Sequence, residues 1–570
     1  VGKLPFTHAT TIAVEDRLAV NGETMRTLFP TLLPALREYR RADFFADLGA
    51  GLTVGIIALP LAIGFGIASG VTPQQGLWTG IIAGLVVALF GGSRFQIAGP
   101  TGAFVPVLFS IVSQHGYGGL ALATMMAGVM LLLLGVLKMG RLLKFFPYPV
   151  VAGFTSGIAV IIFCGQLNEF LGLGLKMPEH VPQQITALAS HLPAVNWFAL
   201  ALGGLTLAVT WLWPRVTKRV PASIVGVVLA TLVAYFADWP VATIGSKFGG
   251  IPAGLPGWHF PEISLDAMRT LMGAAFTIAA LGAIESLLSA MVADGMTDSR
   301  HNPNQELIAQ GLANLLCPLV GGIAATGAIA RTAANIRSGA RTPVAGIIHS
   351  LLLLGVVVVA APLARFIPLA ALSAVLLIVA ARMAEWHTFI EIWRGPRADF
   401  FVLVAAFGLT VVFDLTIGVG AGLIMAIILF LRQMEEVTHV RLVTPESEVE
   451  GAGSHSILGK DIPPGVILYR IEGPLFFAAA EKLENALLAS GGAPRAVIFR
   501  MRNVPAMDSS GLHAFEIAIE KLHRGGAKVF LTAVQPQPMK VMFESGLVDR
   551  LGMHKFCADI DQALLRVREI

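Results

Sequence analysis

Ile97-Ala-Gly-Pro-Thr-Gly-Ala-Phe104 and Ala324-Ala-Thr-Gly-Ala-Ile-Ala-Arg331 are the two stretches on which the fold turns. Each opens a short apolar run with small or helix-breaking residues. Counting apolar runs outward from them places one at 101–115 and the other at 328–339, with further runs at 46–68, 74–92, 118–138, 147–173, 193–213, 222–239, 267–293, 304–322, 343–364, 367–382, 398–414 and 416–432. The interrupted runs therefore stand third in each half of a seven-plus-seven arrangement. Matched interruptions of this kind are the sign of an inverted repeat with a ligand site at the bilayer midplane. Glycine-rich packing helices are the plainer reading of either stretch taken alone. The expected fold is an α-helical polytopic membrane protein of fourteen spans, followed by a small α/β domain.

Composition agrees. Only 13% of the 570 residues are charged and 55% are hydrophobic, with a mean hydropathy of +0.74, where a soluble domain carries about 25% charged residues. The net charge of +4 comes from Lys and Arg scattered through short loops, with no aromatic-interleaved basic patch, so no nucleic-acid partner is expected. Those basic residues sort by side. Arg37, Arg40 and Arg41 precede the first run, and basic loops follow the even-numbered runs at Arg94, at Lys138, Arg141 and Lys144, at Arg215, Lys218 and Arg219, at Arg300, at Arg337 and Arg341, and at Arg382, Arg394 and Arg397. The opposite loops hold chiefly Lys176, Lys247 and Arg365. Both termini are therefore expected in the cytoplasm. Residues 1–42 form a polar segment without the order of a cleavable signal, 43–436 the transmembrane domain and 437–570 a cytoplasmic domain. Cys164, Cys317 and Cys557 lie far apart, which supports neither disulfides nor a metal site. No cofactor motif and no nucleophile–base pair is visible, so an enzyme is not expected.

A helix that starts at the midplane turns unpaired N–H groups and the positive end of its dipole toward the gap before it. Two such starts facing each other make an anion site from Pro100, Thr101, Gly102, Ala103 and Phe104 on one side and Gly327, Ala328, Ile329 and Ala330 on the other. Gly and Ala permit close approach of the backbone to a ligand. Arg331 lies within one turn and adds positive potential; the alternatives are an Arg that snorkels to the cytoplasm or pairs with a carboxylate. In the eighth run Ala275, Ala279, Gly282, Ser286 and Ser289 form a small, polar stripe beside Glu285, expected to face the site. A lone carboxylate there is a candidate to bind a coupling proton or, with Ser289 and backbone oxygens, sodium; a structural partner of Arg331 is the plainer reading. In the first run Pro60 interrupts the helix, and Leu61 and Phe65 either line the approach or pack in the core.

Beyond Arg432 charge rises, and 465–471, 496–501 and 528–534 read as buried strands alternating with helical patterns, one at Leu483, Leu487 and Leu488 and one at Leu512, Phe515 and Ile519. Residues 444–459 read as a linker. Ala506-Met-Asp-Ser-Ser-Gly-Leu512 opens a helix that Asp508 or Ser509 would cap. Ser510, next to that start, is a candidate regulatory phosphorylation site.

The chain resembles the SulP anion transporter family. The resemblance rests on Asp47-Leu-Gly-Ala-Gly-Leu-Thr-Val-Gly55, Gly92-Ser-Arg-Phe-Gln-Ile-Ala-Gly-Pro-Thr-Gly-Ala103, Ala280-Leu-Gly-Ala-Ile-Glu-Ser-Leu-Leu-Ser289 and Ala328-Ile-Ala-Arg-Thr-Ala-Ala-Asn335. The tail resembles a STAS domain, by Gly473-Pro-Leu-Phe-Phe-Ala-Ala-Ala480 and Asp508-Ser-Ser-Gly511. The resemblance implies core spans one to four and eight to eleven, a gate of the remaining spans, elevator-type alternating access, a homodimer and a bacterial inner-membrane location. It implies an anion pocket at Phe65 and the two run starts, a coupling role for Glu285, and a cytosolic protein partner for the STAS domain. Ala330 falls where some relatives carry a serine, so backbone donors dominate here. Ile284-Glu-Ser-Leu-Leu288 with Ala328-Ile-Ala-Arg331 most resembles members that carry C4-dicarboxylates such as fumarate or succinate with protons. Sulfate or bicarbonate transport, or an uncoupled chloride channel or exchanger, is the alternative. A nucleobase carrier is disfavoured by Arg331.

Overall fold

The computed structural model describes residues 29–140, 146–217, 220–251, 256–258, 260–413, 415–442, 460–476, 482–483, 486 and 494–569. Residues 1–28, the 444–459 linker, Arg141, Lys144, Lys218, Arg219 and most of the helical pattern around Leu487 lie outside them. The chain divides into two compact units, Val1–Ile424 and Met425–Ile570.

Each of the fourteen apolar runs coincides with helix. The helices are α1 (Arg41–Ala68), α2 (Pro73–Phe90), α3 (Val105–Val136), α4 (Tyr148–Leu171), α5 (Trp197–Val216), α6 (Ala222–Phe236), α7 (Leu265–Met296), α8 (Pro303–Leu319), α9 (Ile329–Arg337), α10 (Val344–Val359), α11 (Leu369–Met383), α12 (Arg397–Val412) and α13 (Leu415–Val437). The third and fourth runs share α3, which breaks at Gly116 with φ 66 and ψ −174. Among the described residues, eight helices are long and apolar enough to cross a membrane unaided. The others depart from that pattern for visible reasons. Helix α9 has nine residues, about 14 Å at 1.5 Å per residue, under half of a hydrocarbon core of about 30 Å. Helix α8 buries Asn304, Gln305, Glu306, Gln310 and Asn314, so it is shielded from lipid by protein.

Local signals set the ends. Thr72 and Gln75 make a capping box before Pro73, and the Asn302 side chain accepts from the Asn304 and Gln305 amides ahead of Pro303, both supplying partners for orphan N–H groups. Pro60 sits inside α1, which continues through it. Packing then divides the helices into two sets: α1, α2, α3, α7, α8, α9 and α10 contact chiefly one another, as do α4, α5, α6, α11 and α12. Small residues let helices touch. A Cβ on Gly128 would stand 2.8 Å from the Gly311 carbonyl oxygen, and one on Gly51 2.6 Å from that of Ala345, the close approach that favours helix association in lipid. Buried Asp47 ties the start of α1 to the loop before α10, accepting from Arg341 N at 2.7 Å, Thr342 N at 3.1 Å and the Thr342 hydroxyl at 2.6 Å. The Tyr39 hydroxyl also donates to it at 3.2 Å, and burial together with that carboxylate pushes the Tyr39 phenol up to about 12.

The second unit is a five-stranded sheet in chain order: β3 (His439–Leu442), β4 (Val466–Glu472), β5 (Ala496–Asn503), β6 (Lys528–Thr532) and β7 (Phe556–Cys557), with β3 antiparallel to β4 and the rest parallel. The three expected strands are β4, β5 and β6. The short edge strands β3 and β7 gave no sequence signal, because β3 buries little and β7 has two residues. Alternate residues of the buried strands serve opposite faces. Val497, Phe499 and Met501 pack with Leu512, Phe515 and Ile519 of α14 (Ser509–Arg524), while Ile498 packs with Ile560, Ala563 and Leu564, the pattern of a sheet covered on both sides.

Candidate anion site

The two interrupted stretches meet. β1 (Ala98–Gly99) and β2 (Thr326–Gly327) pair antiparallel, Ala98 opposite Gly327 and Gly99 opposite Thr326. Antiparallel pairing sends the two chains out of the crossing in opposite directions, one into the 3-10 turn Gly102–Phe104 and α3, the other into α9. Around the crossing the backbone is held by short polar side chains. Ala328 N donates to Ile97 O at 2.9 Å, Ile97 N to Thr332 Oγ1 at 3.1 Å, and Gly327 N to Ser286 Oγ at 3.1 Å. Thr326 Oγ1 donates to Gly282 O at 3.0 Å, so Ser286 is the donor in its 2.7 Å contact with Thr326. Asn314 clamps Ala325 by two bonds, from Asn314 Nδ2 to Ala325 O at 2.8 Å and from Ala325 N to Asn314 Oδ1 at 2.9 Å.

This bonding narrows the set of donors read from sequence. The Gly327 and Ala328 amides serve the crossing. Gly327 is glycine because a Cβ would run into the Gln96 side chain and stand 3.2 Å from Ser286 Cα; its smallness serves protein packing. The first amides of the helices remain. Thr101 and Ala328 are the N-caps, and neither gives a side-chain cap, so Gly102, Ala103 and Phe104 on one side and Ile329, Ala330 and Arg331 on the other start without intrahelical partners. Ile329 is 38% exposed and Ala330 is exposed beside it, whereas Pro100, Gly102, Ala103 and Phe104 are buried.

Thr101, Glu285 and Arg331 come together. Glu285 is buried, with the buried Thr101 hydroxyl and the Arg331 guanidinium among its polar neighbours. Arg331 is only 3% exposed. Its Nη2 donates to the Pro100 carbonyl oxygen, and its Nη1 packs where a Gly99 Cβ would stand, 2.6 Å away. The snorkelling reading is thereby corrected: the side chain is short of water and fastened across the crossing to the other repeat. Ser289 donates to Thr332 Oγ1 at 3.0 Å, a tie within the crossing. The rest of the small stripe of α7 is buried, and so are Ile278, Leu281, Ile284 and Leu287, because α7 is surrounded by protein there.

Phe65 sits at the first helix start: a Cβ on Gly102 would stand 3.3 Å from Phe65 Cε1, 3.0 Å from Ile162 Cδ1 and 3.0 Å from Met383 Sδ. Sequence reasoning missed Ile162 and Met383, which come from the other helix set and carry no polar signal. It also missed Thr326, Thr332 and Asn314, although hydroxyls and amides inside apolar runs were legible. Leu61 packs, partly buried, into an apolar cluster with Leu77, Trp78 and Leu372. A cavity of about 700 Å³ between the helix sets is lined by Val105 and Ile162, next to the first helix start, and by His115, Glu169, Lys176, His180 and Lys247, among others, but by none of the site residues expected from sequence. In the second unit Asp508 is the cap, accepting from Gly511 N at 2.7 Å, and Ser509 and Ser510 are exposed at the helix start.

Residues 44–406 match the sulfate permease family, and residues 459–563 match the STAS domain. The chain is 43% identical over 490 residues to a putative sulfate transporter of Bacillus subtilis, covering 85% of this chain and 91% of that one. It is 32% identical over 511 residues to a bicarbonate transporter of Picosynechococcus sp., covering 86% and 89%. The solved structure of SLC26A9 superposes with a TM-score of 0.85 at 17% identity, covering 100% of this chain and 97% of that chain, a likeness of fold.

Proposed function

We propose, because the chain belongs to the sulfate permease family, that it carries a small inorganic oxyanion, sulfate or bicarbonate, across the membrane. That it is an anion transporter of this family follows from the match itself. The oxyanion is preferred to the C4-dicarboxylate suggested by local motifs, because relatives aligned along most of the chain are named for sulfate and bicarbonate. The single observation that carries the reading is the pair of uncapped helix starts at one crossing, with a buried guanidinium beside them. Main-chain amides and helix dipoles bind an oxyanion without a bulky side chain, and the Thr101 hydroxyl stands at the first start beside Glu285.

Transport in this reading is secondary active. Glu285 takes the coupling proton, as a buried carboxylate beside the helix starts with Thr101 and Arg331 among its polar neighbours. The set containing α1–α3 and α7–α10 carries the site past the other set, crossing as fourteen spans with both termini in the cytoplasm of a bacterial cell, as a homodimer. Purified full-length chain in proteoliposomes, loaded under imposed pH and sodium gradients with labelled sulfate, bicarbonate or fumarate, tests this. Concentrative uptake of one inorganic oxyanion under the pH gradient is expected. Preferential fumarate uptake would restore the dicarboxylate reading, and strictly downhill flux would make the protein a channel.

A further inference from the structure

Glu306, Gln310 and Asn314 stand four residues apart on α8 and are fully buried. They share one face of the helix and span about 12 Å of its axis. Their hydrogen bonds form a single chain. Glu306 Oε2 accepts from Gly92 N at 2.9 Å and from Ser93 N at 3.2 Å, and Glu306 Oε1 accepts from Gln310 Nε2 at 3.1 Å. Asn314 Nδ2 donates to the Gln310 carbonyl oxygen at 2.9 Å as well as to Ala325 O, and Ala325 N donates back to Asn314 Oδ1. In all three of these bonds Glu306 accepts, so amide donors replace the water that its burial removed. The two ends of the chain grip different halves of the fold. Gly92 and Ser93 open the segment that enters β1, whose later residues Phe95 and Ile97 are held by Asn335 Nδ2 at 3.0 Å and by Thr332 Oγ1. Ala325 is the residue before β2. The contact at Gly92 leaves no room for a side chain: a Cβ there would stand 2.1 Å from Asn302 O and 2.9 Å from Glu306 N.

We infer that Glu306, Gln310 and Asn314 are positioning residues for the anion site: they fasten both interrupted segments to one helix and so set the separation of the two helix starts that follow. Glu306 acts through residues 92–93 and Asn314 through Ala325, with Gln310 joining them. The inference rests on the proposed anion site between those starts. An anion gripped from two sides is bound more weakly when the sides shift, which raises KM. Loss of folded protein lowers Vmax and leaves KM where it was, so KM separates positioning from mere stability.

Uptake of labelled sulfate by the full chain in proteoliposomes tests this, with labelled bicarbonate as a second probe. Glu306→Ala and Asn314→Ala are each expected to raise KM about two- to tenfold, the span of one net hydrogen bond. Glu306→Gln keeps an acceptor for the Gly92 and Ser93 amides, and Gln310, whose Oε1 has no partner among the described residues, can turn its amide to accept from the new NH2 group. Its KM is expected within about twofold of wild type. Because either loss frees the same separation, the double alanine variant is expected to raise KM by less than the product of the two single effects. Gln310→Met removes the link between the two ends at nearly constant volume; it is expected to raise KM at least about twofold, and it decides the matter if the alanine variants do not fold. An unchanged KM in Glu306→Ala, Asn314→Ala or Gln310→Met, a double-variant effect equal to the product, or failure of Glu306→Gln to retain KM overturns the inference. Arg331→Gln run in parallel separates the two levels. If it leaves KM unchanged, the anion-site reading fails and this inference with it; if it raises KM while the α8 variants do not, only the positioning role is refuted.

Discussion

Gly99→Ala puts one methyl group into the tightest part of the crossing. Gly99 has φ +155, a conformation L-residues rarely adopt, and the added Cβ would stand 2.6 Å from Arg331 Nη1 and 3.3 Å from Gly80 Cα. Backbone strain of this kind costs about 1–3 kcal/mol, and overpacking a site that cannot relax costs about 1–3 kcal/mol, giving about 2–6 kcal/mol in total. Part of this can be relieved only by moving the guanidinium, the Pro100 carbonyl it holds, or α2. The substitution is therefore expected to lower thermal stability of the detergent-solubilised protein and to raise KM for the transported anion. Gly118→Ala is the control: it lies in α3 with nothing within 4 Å of the new Cβ, and relief of glycine's backbone entropy should leave stability unchanged or raised by up to about 1 kcal/mol. A Gly99→Ala protein with wild-type melting and wild-type KM would refute the rigid crossing, and with it the claim that Arg331 is held in place.

Glu285→Gln is expected to abolish uptake driven by an imposed pH gradient while leaving exchange of anions down their own gradient; an unchanged pH dependence in proteoliposomes would remove Glu285 from coupling. Asp508→Ala removes the side-chain cap of α14 and should destabilise the STAS domain by about 0.5–2 kcal/mol, read by denaturant unfolding, whereas Ser509→Ala should cost little because Ser509 is not the cap. His523 is held below the usual histidine range by partial burial and by nearby Lys555. The folded domain therefore binds fewer protons than the unfolded chain as pH falls through the ordinary histidine value, and stability present at neutral pH declines toward acid. His523→Gln should flatten that acid arm of the domain's stability profile; an unchanged arm would show that other groups set it.

That the chain lies in lipid, where its helices fall, that the runs at 101–115 and 328–339 are interrupted, and that an α/β domain follows can all be read from the order of residues. These are readings of composition and spacing: twenty apolar residues in water-free surroundings have little choice but helix, and a helix that begins among Gly, Pro and Ala announces itself. Glu285 and Arg331 were legible for the same reason, as charges inside apolar runs. Which donors remain for a ligand emerges from the packed fold alone. Pairing of Ala98–Gly99 with Thr326–Gly327 joins residues more than two hundred positions apart, uses up the Gly327 and Ala328 amides, turns Arg331 toward Pro100, and brings Ile162 and Met383 to the helix start at Gly102. No local pattern encodes those contacts, because an amide's partner and an apolar side chain's neighbour are set by which segments pack together, and that choice is made by the whole chain.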